Sequence, residues 1–154
     1  MTISKGATVT ISSGAALYST AVKASNNVNI EAGATLNVKN PGATELCRGM
    51  NVGGTLIVWE GATLNVEVDD QSAKTSECIR VYGFMGVKDN ANVTVSAKKA
   101  AAIECYGSMN LGNDATVTAS TEGQGADLIC YGAIVNCGAT VNGEVEALGE
   151  VHNK

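Results

Sequence analysis

Tyr82, Tyr106 and Tyr131 return at intervals of 24 and 25 residues. With Trp59 they are the side chains of this chain best suited to stacking against a sugar ring. Other chemistry-bearing types are sparse. His152 is the only histidine and stands near the end of the chain, with no second histidine or adjacent nucleophile to make a base pair. Arg48 and Arg80 are the only arginines. The five cysteines Cys47, Cys78, Cys105, Cys130 and Cys137 lack the CxxC spacing of a zinc site and are read as reduced thiols acting as small hydrophobes. Cys47 and Cys78 fall in or beside loops and Cys137 lies at a corner, and any of the three could crosslink subunits in an oxidising setting. Glu67, Asp69 and Asp70 lack the spacing of a calcium loop and are expected to form a solvated corner. No glycine-rich phosphate loop opens a helix. The reading is a non-enzymatic protein, with no catalytic residues, no metal and no cofactor.

Composition narrows the partners. The chain has 154 residues, a net charge of -5 and 4% aromatic residues. That length fits one domain spanning 1–154. No Lys/Arg stripe exists to neutralise phosphates, so nucleic acid is not expected as a partner. No apolar run reaches the length of a membrane span. Met1 runs straight into Thr2-Ile3 with no cationic head and apolar stretch, so no leader peptide is read.

What must position these residues is a repeat. Gly6-Ala7-Thr8-Val9-Thr10-Ile11 returns as Gly33-Ala34-Thr35-Leu36, Gly61-Ala62-Thr63-Leu64, Asn90-Ala91-Asn92-Val93, Asp114-Ala115-Thr116-Val117 and Gly138-Ala139-Thr140-Val141. Intervals from Leu36 onward are 28, 29, 24 and 24 residues. A unit of that period cannot bury its apolar face alone and must stack on its neighbours. A second phrase precedes each of these, and its columns read inward: Val22, Met50, Ile79, Ile103, Leu128, Val145; then Ala24, Val52, Val81, Cys105, Cys130, Ala147; then Val28, Leu56, Met85, Met109, Ile134, Val151. Between them Asn26, Gly54, Gly83, Gly107, Gly132 and Gly149 occupy one position, which suggests a bend of positive φ. Variable loops (Ser12–Ala21, Lys39–Gly49, Glu67–Cys78, Ser96–Ala102, Ser120–Asp127) are read as exposed corners. The expected fold is all-β: a single-stranded, right-handed parallel β-helix, or β-solenoid, of about six rungs, its hand inferred from parallel crossovers.

Outward residues of the Ala-Thr strands form two ladders. One is Thr8, Thr35, Thr63, Asn92, Thr116 and Thr140; the other is Thr10, Asn37, Asn65, Thr94, Thr118 and Asn142. A two-column Thr array resembles the face of ice-binding β-solenoids, while Asn ladders also steady stacked rungs. The tyrosine column serves either as a ladder tying adjacent rungs or as a face for sugar rings or a neighbouring chain. Trp59, at a corner, would add a sugar platform or cover the core.

Strand–turn–strand units such as Ala102-Ile103-Glu104-Cys105-Tyr106-Gly107, followed by Asn110-Leu111-Gly112-Asn113-Asp114-Ala115-Thr116-Val117-Thr118-Ala119, resemble bacterial surface β-helix repeats of the pectate-lyase-like superfamily. They also look like repeats in carbohydrate-binding domains of Gram-positive gut bacteria. The resemblance implies the coil, a polysaccharide-binding or adhesion role, and a bacterial exterior in preference to the cytoplasm. It does not extend to catalysis, because the calcium-binding carboxylate cluster and basic residue of the lyases have no counterpart here.

The two ends are expected to match. Met1-Thr2-Ile3 aligns with Val28-Asn29-Ile30, and Val151-His152-Asn153 aligns with the same position, with no capping helix at either end. Met1, Ile3, Val145, Leu148 and Val151 are the expected contacts for head-to-tail stacking, which would make copies of the chain itself the main partner.

Overall fold

Period-two alternation makes each short segment a strand with one apolar face. Segments of three residues cannot stand alone, so each takes its backbone partners from the segments above and below. The computed structural model describes residues 1–14, 16–70, 72–123 and 125–154. The first layer holds β1 (Thr2–Ile3), β2 (Thr8–Ser12) and β3 (Ala16–Ala24). The second holds β4 (Val28–Ile30), β5 (Thr35–Asn40) and β6 (Ala43–Val52). Next come β7 (Leu56–Val58), β8 (Thr63–Val68) and β9 (Thr75–Val81), then β10 (Met85–Val87), β11 (Asn92–Ala97) and β12 (Ile103–Cys105). The fifth layer is β13 (Met109–Leu111), β14 (Thr116–Thr121) and β15 (Leu128–Cys130). The sixth is β16 (Ile134–Asn136), β17 (Thr140–Asn142) and β18 (Val145–Ala147), and β19 (Val151–Asn153) opens another.

All pairings are parallel, and they make three sheets: one of seven strands from β1 to β19, and two of six, from β2 to β17 and from β3 to β18. The chain is therefore an all-β parallel solenoid, with no helix among the described residues. Registers follow the sequence columns. Thr8 faces Thr35, Thr35 faces Thr63, Thr63 faces Asn92, Asn92 faces Thr116, and Thr116 faces Thr140. Backbone amides point along the axis; the Thr35 N–H donates to the Ala7 carbonyl at 2.8 Å, and the Thr63 N–H to Ala34 at 2.8 Å.

The core is the interior of the coil. Val28, Leu36, Met50, Leu56, Leu64, Ile79, Met85 and Ile103 are fully enclosed. Each such side chain contributes roughly 1.5–3 kcal/mol by leaving water. In the last layer this pattern fails: Val145 and Val151 belong to inward columns, yet they are 42% and 52% exposed because no strand lies over them.

Two expectations about the corners are corrected. None of Asn26, Gly54, Gly83, Gly107, Gly132 and Gly149 has a positive φ. Their column needs glycine for room: a Cβ on Gly83 would lie 2.6 Å from the Gly54 carbonyl oxygen, and one on Gly132 would lie 2.6 Å from that of Gly107. Positive φ belongs instead to the residue before each Ala-Thr phrase: Gly6 (69°), Gly33 (66°), Gly61 (63°), Asn90 (58°), Asp114 (54°) and Gly138 (97°). Asn and Asp tolerate that region better than other side chains, which explains their use there.

The variable loops are not simply exposed. β3, β6 and β9 run back into the first three and carry buried side chains with them, among them Ser19, Cys47 and Cys78. Asn40 is buried and donates through Nδ2 to the Arg48 carbonyl at 2.6 Å and to the Ser19 carbonyl at 3.3 Å, closing its corner. Ala15, Gln71 and Gln124, within these loops, lie outside the described residues.

Candidate functional site

Tyr82, Tyr106 and Tyr131 each follow the last residue of β9, β12 and β15, so the sheet register places them directly over one another. Their rings stack. Tyr82 and Tyr106 have centroids 5.3 Å apart with planes 20° from parallel; Tyr106 and Tyr131 are 4.7 Å apart at 11°. Both faces of Tyr106 are thereby occupied, which leaves its edge and hydroxyl to solvent. Arg80 lies 5.8 Å from the Tyr82 centroid and 5.3 Å from that of Tyr106.

Arg80 also belongs to an ionic chain that the sequence reading overlooked. Glu77 is buried and pairs with Arg48 on the preceding layer, through Arg48 Nε and through Nη2 at 3.2 Å. Arg80 Nη2 reaches Glu77 at 2.6 Å and Glu104 at 3.0 Å. Burial works against the Arg80 charge, but hydrogen bonds to Tyr82 and Glu104 and the Glu77 carboxylate outweigh it and push the guanidinium pKa up. Register would have revealed the chain, since Arg48 faces Glu77 and Arg80 faces Glu104 across adjacent strands.

Trp59 is not part of the tyrosine face. It follows β7, at the corner leading to β8, whereas Tyr82 lies at the corner between β9 and β10. Lys88 Nζ stands 5.8 Å from the indole centroid. Trp59 also borders an open groove of about 450 Å³, together with Thr2, Lys5, Asn29, Glu31 and Glu60. Glu31 is held in place by the Lys5 backbone N–H at 3.0 Å.

The Thr/Asn ladders lie on the β2-to-β17 sheet and bond along their own columns. Asn65 Nδ2 donates to Asn37 Oδ1 at 2.9 Å, Asn142 Nδ2 to Thr118 Oγ1 at 3.2 Å, and Asn37 Nδ2 to Thr10 Oγ1 at 3.5 Å.

Of the expected end contacts, Ile3 is already buried at 6% exposure by pairing with Ile30. Met1, Val145, Leu148 and Val151 are exposed. At the far end, Val141, Val145 and Val151 border a hollow of about 200 Å³ that reaches Met109, Leu111, Leu128 and Ile134 in the core. His152 is exposed and lies 3.0 Å from Glu150.

The cysteines divide differently from expectation. Cys47 and Cys78 are buried, not loop thiols free to crosslink. Burial, then the charges of Asp70 and Asp69, push the Cys47 thiol up to about 11; burial and Asp70 push Cys78 well up too. Cys105 and Cys130 face each other inside the coil, and the neighbouring Cys130 together with burial pushes Cys105 up. Cys137 alone is partly exposed. Asp70 is buried too, contrary to the solvated corner expected of it. Its carboxylate accepts backbone N–H groups from Lys98 at 2.6 Å, Lys99 at 3.2 Å and Ala100 at 3.4 Å.

Among the described residues no group of three or more His, Cys, Asp or Glu is arranged to hold a metal ion, and no helix is long and apolar enough to cross a membrane. Compared with protein-family models, curated proteins and solved structures, the chain finds no match.

Proposed function

We propose that this coil is an architectural, non-enzymatic element that adds copies of itself end to end into a filament. The observation that carries this is the uncovered layer of β17, β18 and β19, where Val141, Val145 and Val151 border a hollow leading into the core. Exposed apolar columns and unpaired strand edges together template one further parallel layer. Strand edges are free at the opposite end too, where β1, β2 and β3 are the other edge strands of the same three sheets. Because the contact is heterologous, each addition recreates the open face, and growth continues along the axis. Sedimentation velocity across a wide concentration range, with electron microscopy of the same samples, tests it. Expected are species growing with concentration and rods of constant width; a monomer at every concentration overturns the proposal.

A second reading is polysaccharide binding, favoured by the groove beside Trp59. An exposed indole next to Asn29, Glu31 and Glu60 combines a stacking surface with hydrogen-bonding groups for sugar hydroxyls. It also agrees with the resemblance to carbohydrate-binding bacterial surface repeats. Titration with a panel of soluble polysaccharides, followed by indole fluorescence, tests it. Binding lost in Trp59→Ala supports the groove; silence across the panel removes it.

A further inference from the structure

We propose that the tyrosine column is a modification site, at which a one-electron oxidant joins Tyr106 to Tyr131 by a carbon–carbon bond and so ties two adjacent layers of the coil together. Coupling needs two oxidised phenols held side by side, since a lone radical decays before it meets a second. Tyr106 and Tyr131 are held so without any movement of the backbone. Their ring centroids are 4.7 Å apart and their planes 11° from parallel. The strands fix this arrangement, because Cys105 and Cys130, the residues just before them, are partners in register. Both phenols are also within reach: Tyr106 is 38% and Tyr131 43% exposed, so a diffusing oxidant meets either one.

Each phenol gives one electron to the oxidant and its hydroxyl proton to water. The unpaired electron left behind is shared between the oxygen and the ring carbons ortho to it. One ortho carbon of Tyr106 bonds to one of Tyr131, and the hydrogens on those two carbons pass to the two oxygens, restoring both phenols. The net change is the loss of two hydrogens and the gain of one bond between residues 25 positions apart. The rings turn about their Cβ–Cγ bonds to make it, a soft torsion for tyrosine. Such a bond constrains the unfolded chain as a disulfide does. Tyr82 is the poorer partner. Its ring lies farther from Tyr106, at 5.3 Å, and its hydroxyl oxygen accepts a hydrogen bond from Arg80 Nη1 at 3.4 Å. A guanidinium has no lone pair with which to take the phenolic proton. Tyr18 is exposed and has no ring partner among the described residues, which makes it an internal control. The bond closes within one copy and does not depend on end-to-end growth.

The test is photo-oxidation of the full chain, at low protein concentration, by a ruthenium tris(bipyridyl) sensitiser with persulfate taking up the electrons. Product is read as biphenol fluorescence and located by mass spectrometry of the digested protein. Expected is a Tyr106–Tyr131 crosslink within single chains, with Tyr18 uncoupled. Proximity predicts that Tyr131→Phe cuts the intrachain yield roughly tenfold, while Tyr82→Phe leaves it within about twofold of wild type. Phenylalanine keeps a stacked ring in place, so unchanged far-ultraviolet circular dichroism serves as the folding control. A Tyr106–Tyr131 yield no higher in the folded wild type than in the same protein unfolded in urea overturns the site. So does an undiminished intrachain yield in Tyr131→Phe, or crosslinks found only between chains.

Discussion

Tyr106 lies face to face with Tyr131, ring centroids 4.7 Å apart and planes 11° from parallel, while its other face meets Tyr82. Each stacked pair contributes about 0.5–1.5 kcal/mol beyond area burial, and the guanidinium of Arg80 adds a cation–π contact. Tyr106→Ala removes both pairs at once. It is expected to lower stability to urea by about 2–3 kcal/mol, with Tyr106→Phe close to wild type. Polysaccharide affinity, if the Trp59 groove supplies any, should not change. Wild-type stability in Tyr106→Ala would show that the ladder ties nothing together.

Glycines at the two kinds of corner should answer oppositely to substitution. Gly83→Ala drives a Cβ to 2.6 Å from the Gly54 carbonyl oxygen, a backbone atom of the layer beneath that cannot move alone. Forcing the layers apart is expected to cost on the order of 3 kcal/mol or more. Gly61 has φ of 63° with nothing near its missing Cβ, and Asn90 and Asp114 occupy the equivalent place in later layers. Gly61→Asn should therefore fall within about 1 kcal/mol of wild type, and Gly61→Ala should be the worse of the two. Thermal unfolding of the three variants checks the order.

The same corners mark how far the sequence could be read. Columns such as Leu36, Leu64 and Val93 repeat at fixed phase, so strand, register and inward face were all legible from spacing. Glycine at one position, by contrast, has two physical causes, positive φ or lack of space, and a sequence column does not separate them. Spacing also brought Tyr82, Tyr106 and Tyr131 onto one line but could not say that their faces would be closed against each other. The loops hid most. Asn40 and Asp70 stand in stretches that do not repeat from layer to layer, so no column announces that each is buried and bonded.

Alkaline pH should find the buried thiols. Burial and the neighbouring aspartates raise Cys47 from 9.0 to about 11, and Cys78 moves in the same direction. A thiol whose pKa is higher in the folded state contributes stability that is intact below pH 9 and is lost as pH rises toward 11. Two units correspond to roughly 3 kcal/mol for Cys47. The variant C47A/C78A is expected to be less stable near neutrality, because two buried side chains are shortened, yet to lose less stability than wild type between pH 9 and 11. Parallel pH profiles for the two proteins, by denaturant unfolding, would contradict this assignment.

Asp70 offers the sharpest local test. Its buried carboxylate gathers the N–H groups of Lys98, Lys99 and Ala100, three consecutive donors from the loop of the next layer, at 2.6 to 3.4 Å. Hydrogen bonds to a charged acceptor are worth about 1.5–3 kcal/mol, and a donor left unpaired in the interior adds its own penalty. Asp70→Asn keeps the shape but replaces one acceptor oxygen with a competing N–H group. It is expected to cost about 3 kcal/mol, and its effect should be local: faster amide hydrogen exchange at Lys98, Lys99 and Ala100, with β10 and β13 amides little changed. A uniform rise in exchange along the whole coil would mean that Asp70 holds the stack of layers as a unit, rather than pinning one loop to its neighbour.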